Sequence, residues 1–287
     1  MHPVEYSIDW LSVSGGVDLF QKTLDAGVHF RLGEARKPLA HFDTAHDLLP
    51  AGTLQESTSD QQGCLISLSG EDMTAIRHNG MVDPVLIKRM ATVGKVTRLD
   101  YAVDIRTGDS PKDLESHIKS GDYETVFKVA PSRFESFNDT GGYTLYFGSP
   151  KSHRRLRIYD KAAQLKLLNE AWLRVELVTR KNRAQALASD MVKGVLWLVG
   201  HQAIVDTISF PKCKWWNDIF YQTEAVLSTV PKKPDRYQKW LGGQVNDSIR
   251  RNLEKPEHAQ FISDWLDNLT TFRDQLVSKS DGLTLHP

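Results

Sequence analysis

The chain is poor in cysteine: Cys64 and Cys213 stand alone, with no CxxC pair. That excludes a zinc ribbon or a dithiol redox centre and leaves two ordinary reduced thiols. No run approaches the roughly 18 apolar residues that a membrane-spanning helix needs. The opening MHPVEYSIDWLSVSGG also lacks a basic stretch followed by an apolar core. Membrane contact is therefore not expected, and the cytoplasm is the expected location. The turn GSPKS at 148–152 carries a lysine but not the GxxxxGK(S/T) spacing or a following helix, which rejects ATP binding. Net charge is lacking too: 36 Lys and Arg balance 36 Asp and Glu. An argument for a polyanionic partner must therefore come from how charge is distributed.

That distribution is uneven. Between Lys151 and Arg183 the chain has ten basic residues, namely Lys151, Arg154, Arg155, Arg157, Lys161, Lys166, Arg174, Arg180, Lys181 and Arg183, against Asp160, Glu170 and Glu176. With 287 residues, 40% of them hydrophobic, the chain can bury one large core with a smaller appendage. PKKP at 231–234 suits a linker, giving a main domain over 1–230 and a helical region over 235–287. No internal repeat or low-complexity tract is visible in the sequence.

The N-terminal third alternates strand-like runs, YSIDWLSV, VHFRL and CLISLSG, with loops. Two short helices are expected between Glu71 and Val93, broken near Asn79-Gly80 and Asp83-Pro84. TRLDYAVDI (97–105) alternates Leu99, Tyr101, Val103 and Ile105 against Arg98, Asp100, Ala102 and Asp104. Tyr101 thereby falls on the apolar face. Ser110-Pro111 opens a helix to about Ser120. GYTLYFGS and RRLRIYDK form a hairpin, followed by a helix from Ala162 to about Ala171 and a strand WLRVELV. A helix from Arg183 to about Val199 and a strand IVDTISF come next. From Trp215 the chain reads as an amphipathic helix whose Trp215, Trp216, Phe220 and Tyr221 are better explained as a buried face than as a base-stacking platform. His41 and His46 read as loop residues.

Two constellations carry chemistry. If Asp100, Asp104 and Glu176 face one side of adjacent strands, three carboxylates converge with room for Mg²⁺ or Mn²⁺. The alternative is that they are solvated strand residues paired to Arg98 and Arg174. In the hairpin, Arg155, Arg157, Tyr159 and Lys161 share a face suited to phosphate pairing with base stacking, or form a solvated basic edge. Together they suit phosphoryl transfer on DNA, in which a tyrosine oxygen attacks a phosphodiester while metal and arginines absorb charge.

The order RLDYAVD, TLYFGSPKSHRRLRIYDK, then RVEL followed by NRA, resembles the Rep_trans family of rolling-circle replication initiators. Its pattern is an RxD strand, a TxYxGSxKS hairpin ending in IYDK, and an RxE strand. The resemblance covers roughly Arg98 to Trp216. IDWLSVSG, WWNDIF and YQKWLGGQV look more like phage-type members, from a filamentous phage or an integrated element, than like staphylococcal plasmid ones. It implies recognition of an origin, single-stranded or cruciform, cleavage of one strand through a 5′-phosphotyrosine, rejoining after synthesis, and a host helicase and polymerase as partners.

One feature departs from that pattern. In plasmid members the nucleophile lies on the helix after the RxE strand, near Ala186 here, yet no tyrosine occurs between Lys161 and Phe220. Tyr221 and Tyr159 become the candidate nucleophiles. The His-hydrophobic-His triplet of other initiators and relaxases is absent. The expected architecture is α+β: a curved, mostly antiparallel sheet with helices packed on one face, DNA meeting the other, and a helical C-terminal tail. The expected function is origin-specific nicking and joining with a divalent metal. The rivals are a non-catalytic DNA-binding protein that keeps the fold, and a metal-water nuclease using Asp100, Asp104 and Glu176 without a covalent intermediate.

Overall fold

The computed structural model describes residues 4–58, 63–135, 142–167 and 170–220. Tyr221 and the expected helical region 235–287 lie outside them. The strands are β1 (Val4–Gly15), β2 (Arg31–Ala35), β3 (Thr44–Leu49), β4 (Thr53–Glu56), β5 (Cys64–Leu68), β6 (Lys95–Ile105), β7 (Glu124–Thr125), β8 (Ser132–Glu135), β9 (Tyr143–Phe147), β10 (Arg154–Asp160), β11 (Leu173–Arg180) and β12 (Ile208–Ser209). The helices are α1 (Leu19–Asp25), α2 (Gly70–His78), α3 (Asp83–Val93), α4 (Leu114–Ser120), α5 (Lys161–Gln164), α6 (Asn182–Lys193), α7 (Leu196–Val205) and α8 (Lys214–Phe220).

Ten strands form one sheet in the order β2-β3-β4-β5-β1-β6-β11-β10-β9-β8, with every neighbouring pair antiparallel. The strands β1 and β6 lie at the centre, and the order reads outward identically on both sides. A first strand (β1 or β6) pairs with the fifth of its half (β5 or β11), and the fourth, third and second follow to the edge. Each half also places a helix after its first strand and two helices after its fifth. The sheet is thus a topological duplication, although the sequence shows no repeat. Burial pattern and strand pairing are maintained by many different residue choices, so topology persists where sequence similarity does not.

One face of the sheet carries the core. Alternation on β6 puts Leu99, Tyr101, Val103 and Ile105 under the helices, and β11 contributes Leu173, Val175 and Leu177, all buried. The α+β architecture with helices against an antiparallel sheet is as the sequence implies. Local signals explain the helix starts. Ser69 and Ser110 each form a capping box, with Asp72 and Asp113 respectively. Asp83, at the start of α3, accepts from the Ile8 backbone N–H at 2.8 Å and pairs with Arg77 at 3.0 Å, which ties that helix to β1.

Several elements differ from the sequence reading. The expected helix 162–171 is the single turn α5, capped by Asp160 accepting from Ala163; Lys166 at φ +60° marks the turn after it. The expected helix 183–199 is broken at Gly194 into α6 and α7, and IVDTISF begins with the last two residues of α7 and a turn at Asp206-Thr207, leaving only Ile208–Ser209 as strand. The α1 helix and the β3-β4 hairpin are additional. They place His46 on β3 rather than in a loop. Trp215, Trp216 and Phe220 are buried, as expected of a helix face in the core.

The central strand and the helical layer meet at Tyr101. Its hydroxyl donates to the Trp197 carbonyl at 3.1 Å and lies 3.4 Å from His201 Nδ1. A Cβ at Gly200 would fall 2.4 Å from Tyr101 Cζ, so α7 approaches this closely only because position 200 has no side chain. Gly200→Ala is expected to lower stability by about 1–3 kcal/mol through overpacking, read as a lower urea midpoint. An unchanged midpoint would show that α7 can lift without loss.

Candidate nucleic-acid interface and catalytic layer

The face of the sheet opposite the helices is charged in its C-terminal half. On β6 the residues between the core positions are Arg98, Asp100, Ala102 and Asp104; on β11 they are Arg174, Glu176, Val178 and Arg180. The β10 strand adds Arg155, Arg157 and Tyr159, and β9 adds Thr144 and Tyr146. Strand register sorts them into rows across the sheet: Tyr146-Arg157-Glu176-Ala102 and Thr144-Tyr159-Arg174-Asp104. Period-two alternation supplies the side chains, and the pairing of β6, β11, β10 and β9 brings acids and bases from distant sequence into contact.

Each acid holds an arginine. Asp104 accepts from Arg174 Nε at 2.7 Å and Nη2 at 2.6 Å, a two-pronged pair, and also from Trp172 Nε1 at 2.7 Å. Arg174 Nη1 reaches on to Asp9 at 2.5 Å. Glu176 accepts from Arg157 Nη2 at 2.6 Å and from the Tyr159 hydroxyl at 3.3 Å. Asp100 accepts from Arg98, with Nη2 at 2.6 Å. Asp9 comes from a β-bulge in β1 between Ile8 and Trp10, which turns both Asp9 and Trp10 onto this face. A Cβ at Gly70 would lie 3.0 Å from Asp9 Oδ1, so the bare glycine leaves Asp9 its space.

Burial sets the electrostatics. It pushes the Asp100 carboxyl up to about 7 despite the pull of Arg98, with Glu176 adding to the rise. Glu176 is also raised, by burial first, against the opposing charge of Arg157. The Tyr159 phenol is raised by burial and by Glu176, against Arg174 and Arg157. For Arg174 and Arg157 burial acts downward, but carboxylate hydrogen bonds and charges outweigh it, so both hold their protons more tightly than usual. Arg155 and Lys161 differ: burial and neighbouring cations lower both. Arg155 stacks on the Tyr146 ring, its carbon 4.0 Å from the centroid, and its Nε is buried without a hydrogen-bond partner.

The expected site residues divide accordingly. Asp100, Asp104, Glu176, Arg155, Arg157, Tyr159 and Arg174 occupy one face. Lys161 starts α5, its Nζ 5.8 Å from the Tyr159 ring centroid. Arg180 donates to the Pro150 and Ser152 carbonyls and so fastens the β9-β10 turn that carries Lys151. Lys181 precedes α6 at φ +56°. Arg154 alternates to the helix side, where Arg183 and Asp206 are its charged neighbours. Arg154 and Arg183 therefore do not join the layer, because Arg154 has the parity of Leu156 and Ile158. Asp9, Trp10, Tyr146 and Trp172 are its unanticipated members. Tyr146 and Trp172 follow strand parity, but no pattern in IDWLSV announces the bulge.

Hard oxygen donors of the kind that hold Mg²⁺ or Mn²⁺ are present, but the three expected ligands do not form a set. Both Asp104 oxygens are committed to Arg174. Among the described residues no group of three His, Cys, Asp or Glu side chains is arranged to hold a metal. Asp100 and Glu176 are likewise bound, by Arg98 and by Arg157 with Tyr159, but they lie buried on adjacent strands with proton affinity raised by desolvation, and an ion entering between them would displace those donors. No helix among the described residues is long and apolar enough to cross a membrane.

Comparison with known proteins places this layer in context. The profile of the Rep_trans family, described as replication initiation factor, matches residues 94–269, more than half of the chain. The chain is 24% identical over 295 aligned residues to a protein of Bacillus subtilis (strain 168) described as putative DNA relaxase NicK, covering 89% of this chain and 83% of that one. Its fold matches that of a rolling circle replication initiator protein from Geobacillus stearothermophilus at a TM-score of 0.64 and 19% identity, covering 78% of this chain and 97% of the other.

Two measurements probe the layer. Arg174→Ala leaves Asp104 buried without its partner and is expected to lower stability by about 3–5 kcal/mol; Arg174→Lys restores little, since an ammonium cannot reproduce the two-pronged geometry. Equal urea midpoints for Arg174→Ala and the native chain would contradict the pairing. Asp100, an acid with a raised value, favours folding in its neutral form. Its contribution is present below pH 3.8 and is lost as pH rises through about 7. Asp100→Asn is expected to flatten the slope of stability between those limits; an unaltered slope would mean that Asp100 titrates normally.

Proposed function

The chain belongs to the Rep_trans family of replication initiation factors, and on that premise we propose that it nicks and rejoins one DNA strand at an origin, using the charged sheet face as its active surface. The observation that carries this reading is the layer itself: three buried carboxylates, each fixing an arginine, around a tyrosine hydroxyl 3.3 Å from Glu176. Such burial is unfavourable for stability alone. It is useful where rigid cations must meet a phosphate in one geometry, without reorganisation as charge develops.

Arg157 and Arg174, oriented by Glu176 and by Asp104 with Asp9, would bind the phosphate on either side of the scissile bond. Arg155 and Lys161, whose charges have no carboxylate hydrogen-bonded to them among the described residues, would hold the adjoining backbone, with Lys151, Arg180, Lys181, Arg154 and Arg183 lending longer-range attraction. A tyrosine oxygen attacks phosphorus, the bond to the 3′ oxygen breaks, and the phenolic proton passes to a carboxylate. Tyr159 has such a base in place in Glu176, but it is only 2% exposed, so the incoming strand must part the Arg157 and Lys161 heads beside its ring. Tyr221, the other candidate, follows the last residue of α8. Asp100 and Glu176 would hold a divalent metal, Mg²⁺ or Mn²⁺, which when bound withdraws charge from the phosphoryl oxygens; Asp104 would serve to orient Arg174. The DNA would be an origin, single-stranded or cruciform, in a filamentous phage or integrated element, with a host helicase and polymerase acting after the nick.

The burial of Tyr159 favours a second reading, a DNA-binding protein that keeps the fold without cleaving. Incubation with labelled single-stranded origin DNA and Mn²⁺, resolved on a denaturing protein gel, separates the two. A protein-DNA adduct abolished by Tyr159→Phe or by Tyr221→Phe is the expected outcome and identifies the nucleophile. Cleavage without an adduct would replace the covalent mechanism by metal-water hydrolysis. Binding without cleavage would establish the second reading.

A further inference from the structure

Five of the six cation-ring contacts among the described residues lie on or at the edge of the charged face. Energetically significant pairs of this kind occur about once per 70–80 residues, so their concentration on one face calls for a local cause. Three involve half-buried rings set around the carboxylate layer. Trp10 on β1, opposite Asp100, carries Arg98 at 3.9 Å from the ring centroid. Tyr146 on β9, opposite Arg157, carries Arg155 at 4.0 Å. Trp172, just before β11, carries Arg106 at 3.7 Å.

The two indoles are fixed as well as stacked. Trp10 Nε1 donates to Ser12 Oγ at 2.8 Å and Trp172 Nε1 to Asp104 at 2.7 Å, so each indole is held by its edge. The guanidinium groups are held in turn, Arg98 by Asp100 at 2.6 Å and Arg106 by Glu170 at 2.7 Å. A flat ring backed by a flat cation and locked at its rim loses little freedom when a further planar group is added. A nucleobase has the π-face to stack there, and its phosphates lie within reach of the same arginines.

We propose that Trp10, Tyr146 and Trp172 are stacking positions that grip unpaired nucleobases on the flanks of the phosphate held by the arginine layer. The inference rests on the reading of this face as the DNA surface and deepens it, naming positioning residues rather than catalytic ones. In a duplex the bases are stacked on one another and cannot offer their faces to these rings, so the three positions discriminate for an opened strand.

The test is equilibrium binding of the full-length protein, in EDTA so that no cleavage intervenes, to a fluorescently labelled single-stranded oligonucleotide of origin sequence and to its duplex. Trp10→Ala, Tyr146→Ala and Trp172→Ala are each expected to weaken single-strand binding roughly tenfold or more, with duplex binding little changed. The loss should persist as salt is raised, because stacking, unlike phosphate pairing, releases no counterions. Tyr146→Phe and Trp172→Phe keep a ring and are expected to bind within about threefold of the native chain, a contrast that a general folding defect would not produce. Native affinity for the single strand in the alanine variants, or equal losses on single strand and duplex, would overturn the proposal. Because the assay needs no nicking, failure of the covalent mechanism would show in the adduct experiment while leaving this result intact.

Discussion

Arg174 reaches across three strands. From β11 its guanidinium closes two hydrogen bonds on Asp104 of β6 and a third on Asp9 of β1. Each ion alone would be costly to bury, and the arrangement is tolerable because Nε, Nη1 and Nη2 of Arg174 each donate to a carboxylate. The pairing fixes the relative positions of the central strands on the face that the helices leave open. Glu176 with Arg157, and Asp100 with Arg98, repeat the device on either side. These hydrogen bonds turn a sheet surface, which alternation alone would make merely polar, into a rigid array of oriented cations.

The array is not electrically uniform. Carboxylates make Arg157 and Arg174 hold their protons more tightly against the effect of burial, while burial raises Asp100 and Glu176 against the pull of their arginines. At its margin, Arg155 and Lys161 are desolvated beside other cations, which lowers both. Among the described residues neither has a carboxylate hydrogen-bonded to it, and Lys161 donates instead to Gln164 Oε1. Cations of this kind suit sequence-independent phosphate contact.

The duplicated topology gives this surface its setting. Both halves supply five strands and a helical cover, but only the C-terminal half carries the acid-arginine layer. In the N-terminal half that face carries a mixture of polar and apolar residues, with the Ser12-Ser67 hydrogen bond between β1 and β5 beside Leu65, Gln55 and Thr53. The two halves contribute jointly at the seam, where the bulge in β1 adds Asp9 and Trp10 to a layer otherwise built from residues beyond position 97. The same strand order thus serves twice, and side-chain identity decides which half carries the acid-arginine layer.

Much of this was legible in the residues themselves. Alternation in RLDYAVDI, RRLRIYDK and WLRVELV places Asp100 with Asp104, Arg157 with Tyr159, and Arg174 with Glu176 on one side of their own strands, and the order of those motifs identifies the family, because local periodicity and motif order are properties of sequence; that the three sides coincide is set by strand pairing. Which acid meets which arginine was not legible, since strand neighbours are chosen by the whole sheet: Asp104 faces Arg174 rather than a metal-ligand partner only because β6 lies beside β11 in that register. The bulge that delivers Asp9, the parity that sends Arg154 to the helix side, and the encirclement of the layer by Trp10, Tyr146 and Trp172 likewise depend on contacts between residues far apart in the chain. The sequence determined which residues share a side of each strand and the family they belong to; tertiary structure decided the partners, because pairing across strands is fixed by packing of the entire core.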